Sequence, residues 1–173
     1  MLHYHFELSC YILCYFLGNN PPHREFAKRL REATGCKIVA LTHLDEYIRC
    51  DEGYADETPY DVDPADFLNL IRNASYVCTD SFHCSVFSIL YKRCFFAFRR
   101  YARNTRQSTN SRLDTLFGLA GISGRILRGD ENVKKCLDMK IDYDEVHKNI
   151  EKIRSSSYVY LKTALNDEGS TDL

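Results

Sequence analysis

Short, mostly apolar runs, each bounded by a turn, constrain the fold of this chain more than any other feature. They cover residues 11–17, 37–41, 75–79 and 94–98. Runs of this length without regular polar alternation are typical of strands that are covered on both faces of a parallel sheet. Gly18-Asn19-Asn20-Pro21-Pro22 ends the first run, and Gly35 precedes the second. We therefore predict four buried strands.

Between these runs the apolar residues recur at helical spacing. Phe26, Ala27 and Leu30 mark one helix over residues 23–34. Asp63-Pro64 opens another, because Asp is a good N-cap and Pro is tolerated at the first helical position. Further helices are predicted over residues 81–91, 113–120 and 143–165. The alternation of strands and helices implies an α/β fold, a Rossmann-like parallel sheet with right-handed helical crossovers.

We expect a single Rossmann-like domain, because nothing marks a boundary inside the chain. Its core is predicted over residues 11–165, with a frayed tail over 166–173. The stretch 45–66 carries nine carboxylates and one Arg. This composition predicts an irregular, solvated and mobile loop, and closure of the loop over a cleft is the alternative.

Charge and composition exclude several classes of function. The net charge is −1, so a general role in nucleic-acid binding has no support. No segment approaches the ~20 apolar residues of a membrane helix, and the first residues lack a signal-peptide pattern. We therefore expect a soluble, cytoplasmic protein with no integral membrane segment. The eight cysteines have no zinc spacing, and we expect most to be buried thiols.

The turn after the third predicted strand is the first candidate for a functional site. Ligands of open parallel sheets bind beyond the carboxyl ends of the strands, where the next helix directs N–H groups at an anion. Thr79-Asp80-Ser81-Phe82-His83 lies there and supplies hydroxyl groups and an imidazole suited to proton exchange. The alternative is a simple helix cap, in which Asp80 or Ser81 bonds the first-turn amides and His83 merely packs.

A basic segment follows this turn. Seven Lys and Arg residues and no carboxylate fall within residues 92–112. Arg99 and Arg100 leave the carboxyl end of the fourth predicted strand, so at least one is expected to face the same crevice. Arg112 follows another polar helix start, formed by Asn110 and Ser111. Because guanidinium groups suit phosphate and carboxylate, we predict a site for a small anionic molecule.

These motifs resemble those of the polysaccharide pyruvyl transferase family. The main similarity lies in Asp63-Pro64-x-Asp66-Phe67-Leu68-x-Leu70-Ile71-x-x-Ala74-x-Tyr76-Val77-x-Thr79-Asp80-Ser81-Phe82-His83, followed by Val86-Phe87-Ser88-Ile89. Asn110-Ser111-Arg112 and Arg125 are similar to a later motif of the family, and Tyr11-Ile12-Leu13 to the strand that begins its C-terminal half. The resemblance runs from about residue 11 to about residue 161.

The resemblance implies a glycosyltransferase-B-like fold in which a cleft separates two Rossmann-like halves. This chain is similar to the C-terminal half, so a missing N-terminal half or a homo-oligomer is the expected partner. Met1 is then either the natural start of a split or truncated gene or an artificial boundary within a longer sequence. The implied reaction transfers pyruvyl from phosphoenolpyruvate, a phosphorylated small molecule, to a sugar of a cell-surface polysaccharide precursor. The glycan acceptor becomes a cyclic ketal and phosphate leaves, and neither a metal nor a further cofactor is required.

The resemblance also implies roles for individual residues. His83 would be the catalytic acid and base. Ser81 and the backbone amides after it would hold phosphate. Arg99 or Arg100, together with Arg112, would be cationic clamps. The remaining predicted substrate-binding residues are Thr79, Asp80, Asn110 and Ser111.

Cys84 departs from the family, which usually has Gly after the His. A Cys side chain would crowd a ligand that Gly allows to approach closely. Alternatively, a thiol in the first turn of a helix could have a lowered pKa and act as a nucleophile. Two other functions also stay open, a non-catalytic half-domain that binds a ligand or partner and a domain of a nucleotide-sugar glycosyltransferase.

Overall fold

A computed structural model describes residues 10–43, 46–101 and 110–167. Five strands form one sheet in the order β2-β1-β3-β4-β5, and every neighbouring pair is parallel. The strands are β1 (Tyr11–Tyr15), β2 (Lys37–Leu41), β3 (Tyr76–Thr79), β4 (Cys94–Phe98) and β5 (Ile126–Leu127). The parallel sheet and its flanking helices confirm the predicted α/β, Rossmann-like fold.

Six α-helices flank the sheet in the described parts of the chain. They are α1 (Pro21–Thr34), α2 (Pro64–Asn73), α3 (Phe82–Leu90), α4 (Asn110–Ala120), α5 (Val133–Asp138) and α6 (Tyr143–Asp167). The predicted cap of α2 is confirmed, since the Asp63 carboxylate accepts a 2.8 Å hydrogen bond from the N–H of Asp66. Along the described residues, none of the helices combines the length and apolarity needed to cross a membrane.

The differences from the predicted elements lie mainly at short elements and at ends. The strand β5 has two residues and the helix α5 has six, which is too short for a periodic pattern, and neither was predicted. The first strand ends at Tyr15, two residues before the predicted end. The helix α6 continues through Asp167, and residues 168–173 of the predicted tail lie outside the described residues.

The core consists of two apolar layers, one on each face of the sheet. Ile12, Phe26 and Phe96 belong to the layer beneath α1 and α5. Leu13 and Phe117 belong to the layer beneath α2, α3, α4 and α6. Neighbouring strand residues fall into different layers because their side chains point to opposite faces. Full burial of a large apolar side chain contributes roughly 1.5–3 kcal/mol, so both layers stabilise the sheet that carries the site.

The acidic segment is irregular, as predicted, but part of it packs along the outer edge of β2. The N–H of Ala40 donates to the carbonyl oxygen of Glu57 at 2.9 Å. The Asp56 carboxylate accepts from the N–H of Ile38 at 2.7 Å, and Tyr54 is buried. The prediction of a solvated loop is therefore wrong for Tyr54, whereas Asp56 is exposed although it hydrogen-bonds to β2. The edge of β2 offers backbone groups that this segment satisfies.

The expectation that most of the eight cysteines are buried thiols is wrong: four are buried free thiols, Cys50 and Cys94 are partly exposed, and the other two form a disulfide. Cys10 and Cys36 form a disulfide that joins the amino ends of β1 and β2. Their Cα atoms lie 5.0 Å apart although 26 residues separate them in the chain. The parallel pairing of the two strands creates this proximity, which the spacing of the cysteines along the sequence does not reveal. The buried free thiols are Cys14, Cys78, Cys84 and Cys136.

Candidate functional site

The candidate site lies at the carboxyl ends of β1, β3 and β4. Tyr15 of β1 stands beside Thr79 of β3, which in turn stands beside Ala97 of β4. The turns that leave these three strands therefore meet at one edge of the sheet. This edge is where ligands of open parallel sheets bind.

Thr79 and Ser81 shape the turn that leads from β3 into α3. The Thr79 hydroxyl donates to the carbonyl oxygen of Tyr15 at 2.6 Å and accepts from the N–H of Ser81 at 3.0 Å. Ser81 is the N-cap of α3, and its hydroxyl oxygen accepts from the N–H of Cys84 at 3.4 Å. Both side chains are buried, so their hydroxyl groups fix the backbone at the start of α3. The N–H groups of the first helical turn are those that a helix leaves free for a ligand, and the predicted substrate contacts of Thr79 and Ser81 stay a prediction.

Asp80 connects the turn after β3 to the turn after β1. Its carboxylate accepts hydrogen bonds from the N–H of Leu17 at 2.7 Å and from the N–H of Gly18 at 2.9 Å. The carboxylate is fully buried, and the Nε atom of Arg100 lies 3.7 Å from it. Burial raises the pKa of Asp80, while the two N–H groups and Arg100 act in the opposite direction. Asp80 therefore positions the turn after β1, and its role in substrate binding stays a prediction.

The turn after β1 is also held from its other side, by a buried arginine of α1. Arg24 donates from Nη1 to the carbonyl oxygen of Gly18 at 2.6 Å. Its Nε and Nη2 atoms both donate to the Asp51 carboxylate, at 2.8 and 2.6 Å. Gly18 has no room for a side chain, since a Cβ atom there would lie 2.8 Å from Cγ of Arg100. The backbone of Gly18 is thus fixed through both its N–H and its C=O groups.

The three predicted cationic clamps differ in their surroundings. Arg100 lies beside Asp80, and its Nε atom is buried without a hydrogen-bond partner among the described residues. The guanidinium of Arg112 lies over the ring of Phe82, 5.3 Å from its centroid, and the side chain is exposed. Arg99 turns instead towards α4 and pairs with Asp114 at 2.6 Å. The structure thus brings Arg100 and Arg112 to the start of α3 and engages Arg99 elsewhere.

His83 lies in the first turn of α3 with its side chain exposed. Its ring contacts that of Phe82, with the centroids 5.6 Å apart, so His83 and Arg112 lie against the same phenyl ring. The next residue, Cys84, is fully buried, and burial raises the pKa of its thiol to about 12. A thiol in that state is a poor nucleophile, which argues against the alternative in which Cys84 reacts.

The helix α4 begins at Asn110, as the polar helix start predicted, and Ser111 and Arg112 are exposed in its first turn. The side chain of Asn110 lies outside the described residues. Residues 102–109 of the basic segment are also outside them. The predicted role of Asn110 and Ser111 in substrate binding stays a prediction.

Sequence reasoning missed several residues that support the site. Arg24 lies in the helix predicted over residues 23–34 and Asp51 in the acidic stretch, yet the two form a largely buried ion pair. Asn20 donates from Nδ2 to the carbonyl oxygen of Arg100 at 3.0 Å, which ties the turns after β1 and β4 together. No local signal marks these residues, because their partners lie 27 to 80 positions away. Within the described residues, no group of three His, Cys, Asp or Glu side chains is placed to hold a metal ion.

The fold and this edge define a Rossmann-like domain that presents guanidinium groups and an exposed imidazole around one helix start. A family model described as polysaccharide pyruvyl transferase matches residues 7–100, which is more than half of the chain. The chain belongs to the polysaccharide pyruvyl transferase family. No curated protein matches it.

The family match confirms the resemblance over the part of the chain that carries the turn. It includes Asp80, Ser81 and His83 and ends at Arg100. Asn110-Ser111-Arg112 and Arg125 lie beyond the matched residues. Family membership indicates a transferase with a pyruvyl transferase-like function acting in polysaccharide chemistry.

Proposed function

We propose that this chain binds phosphoenolpyruvate at the start of α3 and transfers its pyruvyl group to a sugar of a polysaccharide precursor, as a cyclic ketal. The chain would supply the donor-binding half of a cleft. A second half, whether another segment or a second copy, would close the cleft over the reacting groups. This completes the two-domain, glycosyltransferase-B-like arrangement that the family resemblance implies.

One observation carries the proposal: two guanidinium groups contact the residues on either side of Ser81. Arg100 lies against Asp80, and Arg112 lies over Phe82. Phosphoenolpyruvate has two anionic groups, a phosphate and a carboxylate, and each suits a guanidinium fork. The positive end of the α3 dipole adds to the attraction for the phosphate.

The exposed imidazole of His83 suits the proton transfers of this reaction. His83 gives a proton to the methylene carbon of phosphoenolpyruvate, which becomes a methyl group, as a sugar hydroxyl adds to the central carbon. His83 then takes the proton of that hydroxyl and is restored. A second hydroxyl forms the other C–O bond of the ketal as the C–O bond to phosphate breaks, and its proton leaves with the phosphate. Atoms and charges balance with no oxidant or reductant.

Calorimetry with phosphoenolpyruvate tests the donor site directly. We expect binding that weakens about tenfold or more in Arg112→Ala, because a hydrogen-bonded charge contact is lost. The matched control is Arg154→Ala, which removes an exposed arginine on α6 that pairs only weakly with Glu151 at 3.5 Å. His83→Ala should bind the donor almost normally, since the imidazole is assigned to proton transfer.

The same titrations separate the competing functions. Binding of a nucleotide sugar with no binding of phosphoenolpyruvate would support a glycosyltransferase domain instead. Failure of both compounds to bind at millimolar concentration would support a non-catalytic half-domain. Equal donor affinity in wild type and Arg112→Ala would remove Arg112 from the site.

A further inference from the structure

A second crevice lies next to the start of α3, at the carboxyl ends of β1 and β2. Its volume is about 650 Å³, within the range of pockets that hold small ligands. The turn after β1 forms one wall, and the N-terminal end of α2 with the acidic segment forms the other. None of the predicted site residues lines it, so it is separate from the donor site proposed above.

The walls of this crevice are largely aromatic. Tyr15 and Phe67 pack edge to face with their ring centroids 5.2 Å apart, and Phe16 lines the same wall. Tyr60 stands at the rim with 74% of its surface exposed. A large ring held open to solvent at a pocket mouth is unusual for a packing residue, and it offers an apolar face to the C–H groups of a ligand.

The polar groups of the crevice disfavour an anionic ligand. Glu46, Asp63 and His43 line it, whereas neither Lys nor Arg is among its described lining residues. Carboxylates repel phosphates and accept hydrogen bonds from hydroxyl groups. The charge of this crevice is therefore opposite to that of the neighbouring edge, where Arg100 and Arg112 lie.

We infer that the crevice binds a neutral saccharide, with the ring of Tyr60 against one face of the sugar and the carboxylates on its hydroxyl groups. A polyhydroxylated ring is the ligand that combines apolar C–H faces with many hydroxyl donors. The volume accommodates one or two such rings. The interpretation of this saccharide as the acceptor rests on the proposed function, whereas its binding does not.

Direct hydrogen bonds connect this crevice to the donor site. Tyr15 lines the crevice and accepts at its carbonyl oxygen from Thr79, and Leu17 lines it and donates from its N–H to Asp80. A sugar seated there lies along the same turn that Asp80 fixes. The ligand is thereby held next to the start of α3, where the pyruvyl group is transferred.

A second path leads through the acidic segment. The Nδ1 atom of His43 lies 3.3 Å from the Asp51 carboxylate, and Asp51 holds Arg24, which in turn holds Gly18. The wall of the crevice and the backbone of the donor site therefore share one partly buried polar network.

Saturation-transfer NMR with the methyl glycosides of glucose, galactose and mannose tests the inference on the chain alone, without any phosphorylated compound. We expect saturation of the protons on one sugar face, and a Tyr60→Ala variant that binds about two- to tenfold more weakly. Tyr160→Ala is the matched control, because Tyr160 is 72% exposed on α6 and lies outside the crevice. It should bind the sugar as the wild type does.

The outcomes separate this inference from the proposed function. Absence of saturation for all three glycosides at tens of millimolar would overturn the saccharide site, even where phosphoenolpyruvate binds. Equal losses of sugar affinity in Tyr60→Ala and Tyr160→Ala would also overturn the saccharide site. Sugar binding that depends on Tyr60 in a chain that fails to bind phosphoenolpyruvate would support the saccharide site and count against the proposed donor.

Discussion

The guanidinium of Arg24 donates a 2.6 Å hydrogen bond to the carbonyl oxygen of Gly18. Arg24 is almost completely buried, and its charge is matched by Asp51 and stacked on the ring of Phe16. On the opposite side, Asp80 binds the N–H of Gly18. The candidate site is thus built on a backbone turn held by two buried charges of opposite sign. Such a turn is stiff, which suits a site that must position small reactants.

Gly18→Ala tests whether the turn after β1 depends on the close approach of the Arg100 and Asp80 side chains to the backbone of Gly18. The added methyl group would lie 2.8 Å from Cγ of Arg100 and 3.0 Å from the Asp80 carboxylate, so Arg100 must shift. We expect a loss of about 1–3 kcal/mol in the free energy of unfolding, measured by urea titration, together with weaker donor binding. Gly118→Ala, in an open position on α4, should be neutral or stabilising. Equal stability of wild type and Gly18→Ala would show that the turn is not closely packed.

Asp51→Ala removes the carboxylate partner of a buried arginine. Because Arg24 would keep its charge without compensation, we expect a loss of about 3–5 kcal/mol in unfolding free energy. Glu151→Ala breaks an exposed pair with Arg154 and should change stability by less than about 0.5 kcal/mol. If Asp51→Ala lowers the free energy of unfolding as little as Glu151→Ala does, another side chain or water compensates the charge of Arg24 in the variant.

The lowered pKa of the buried His23 predicts how the stability of the fold depends on pH. Burial, and then the charge of Arg24, lower its pKa from 6.5 to about 4. The unfolded chain therefore binds the proton more tightly, and stability is complete above pH 6.5 and falls as the pH drops towards about 4. The total loss from this residue is about 3 kcal/mol.

Denaturant titrations across this pH range check the prediction. His23→Phe should flatten the dependence, since the ring packs between Phe16 and Phe98 and its Nδ1 atom has no hydrogen-bond partner among the described residues. If the free energy of unfolding of His23→Phe depends on pH as steeply as that of the wild type, the pH dependence comes from other groups.

The disulfide between Cys10 and Cys36 predicts sensitivity to reductant. It closes a loop of 26 residues between the first two strands, and cross-links of that size stabilise by about 3 kcal/mol. Urea titrations with and without dithiothreitol should differ by about this amount in the wild type and coincide in Cys36→Ala. If the two titration curves of the wild type also coincide, Cys10 and Cys36 are not joined by a disulfide in solution.

His83→Ala should abolish turnover without disturbing the fold. The side chain is exposed, so unfolding free energy should change by no more than about 0.5 kcal/mol. With an acceptor and the second half of the cleft present, phosphate release from phosphoenolpyruvate should fall about 100- to 10,000-fold, as expected for the loss of a general acid and base. Near-normal turnover would exclude His83 from proton transfer.

Local patterns were sufficient for most of the fold. The bounds of β2 and β4 match the predicted runs, because buried strands read as continuous apolar segments. The start of α2 follows from Asp63 and Pro64, whose effects act within one helical turn. The strand β5 lacked such a signal, since two residues show no period.

The sequence by itself predicted the parallel sheet, the helix start after Thr79 and His83 as the candidate for proton transfer, whereas the exposure of the His83 side chain was decided by the tertiary structure. Apolar periodicity, caps and motifs act over a few neighbouring residues, so they can be read from the chain. Only the tertiary structure decided that Asp80 binds Leu17 and Gly18, that Arg24 supports Gly18, and that Arg99 turns away to Asp114. Strand order sets most of these contacts by bringing together groups as many as 63 residues apart, and no local pattern encodes which of them meet.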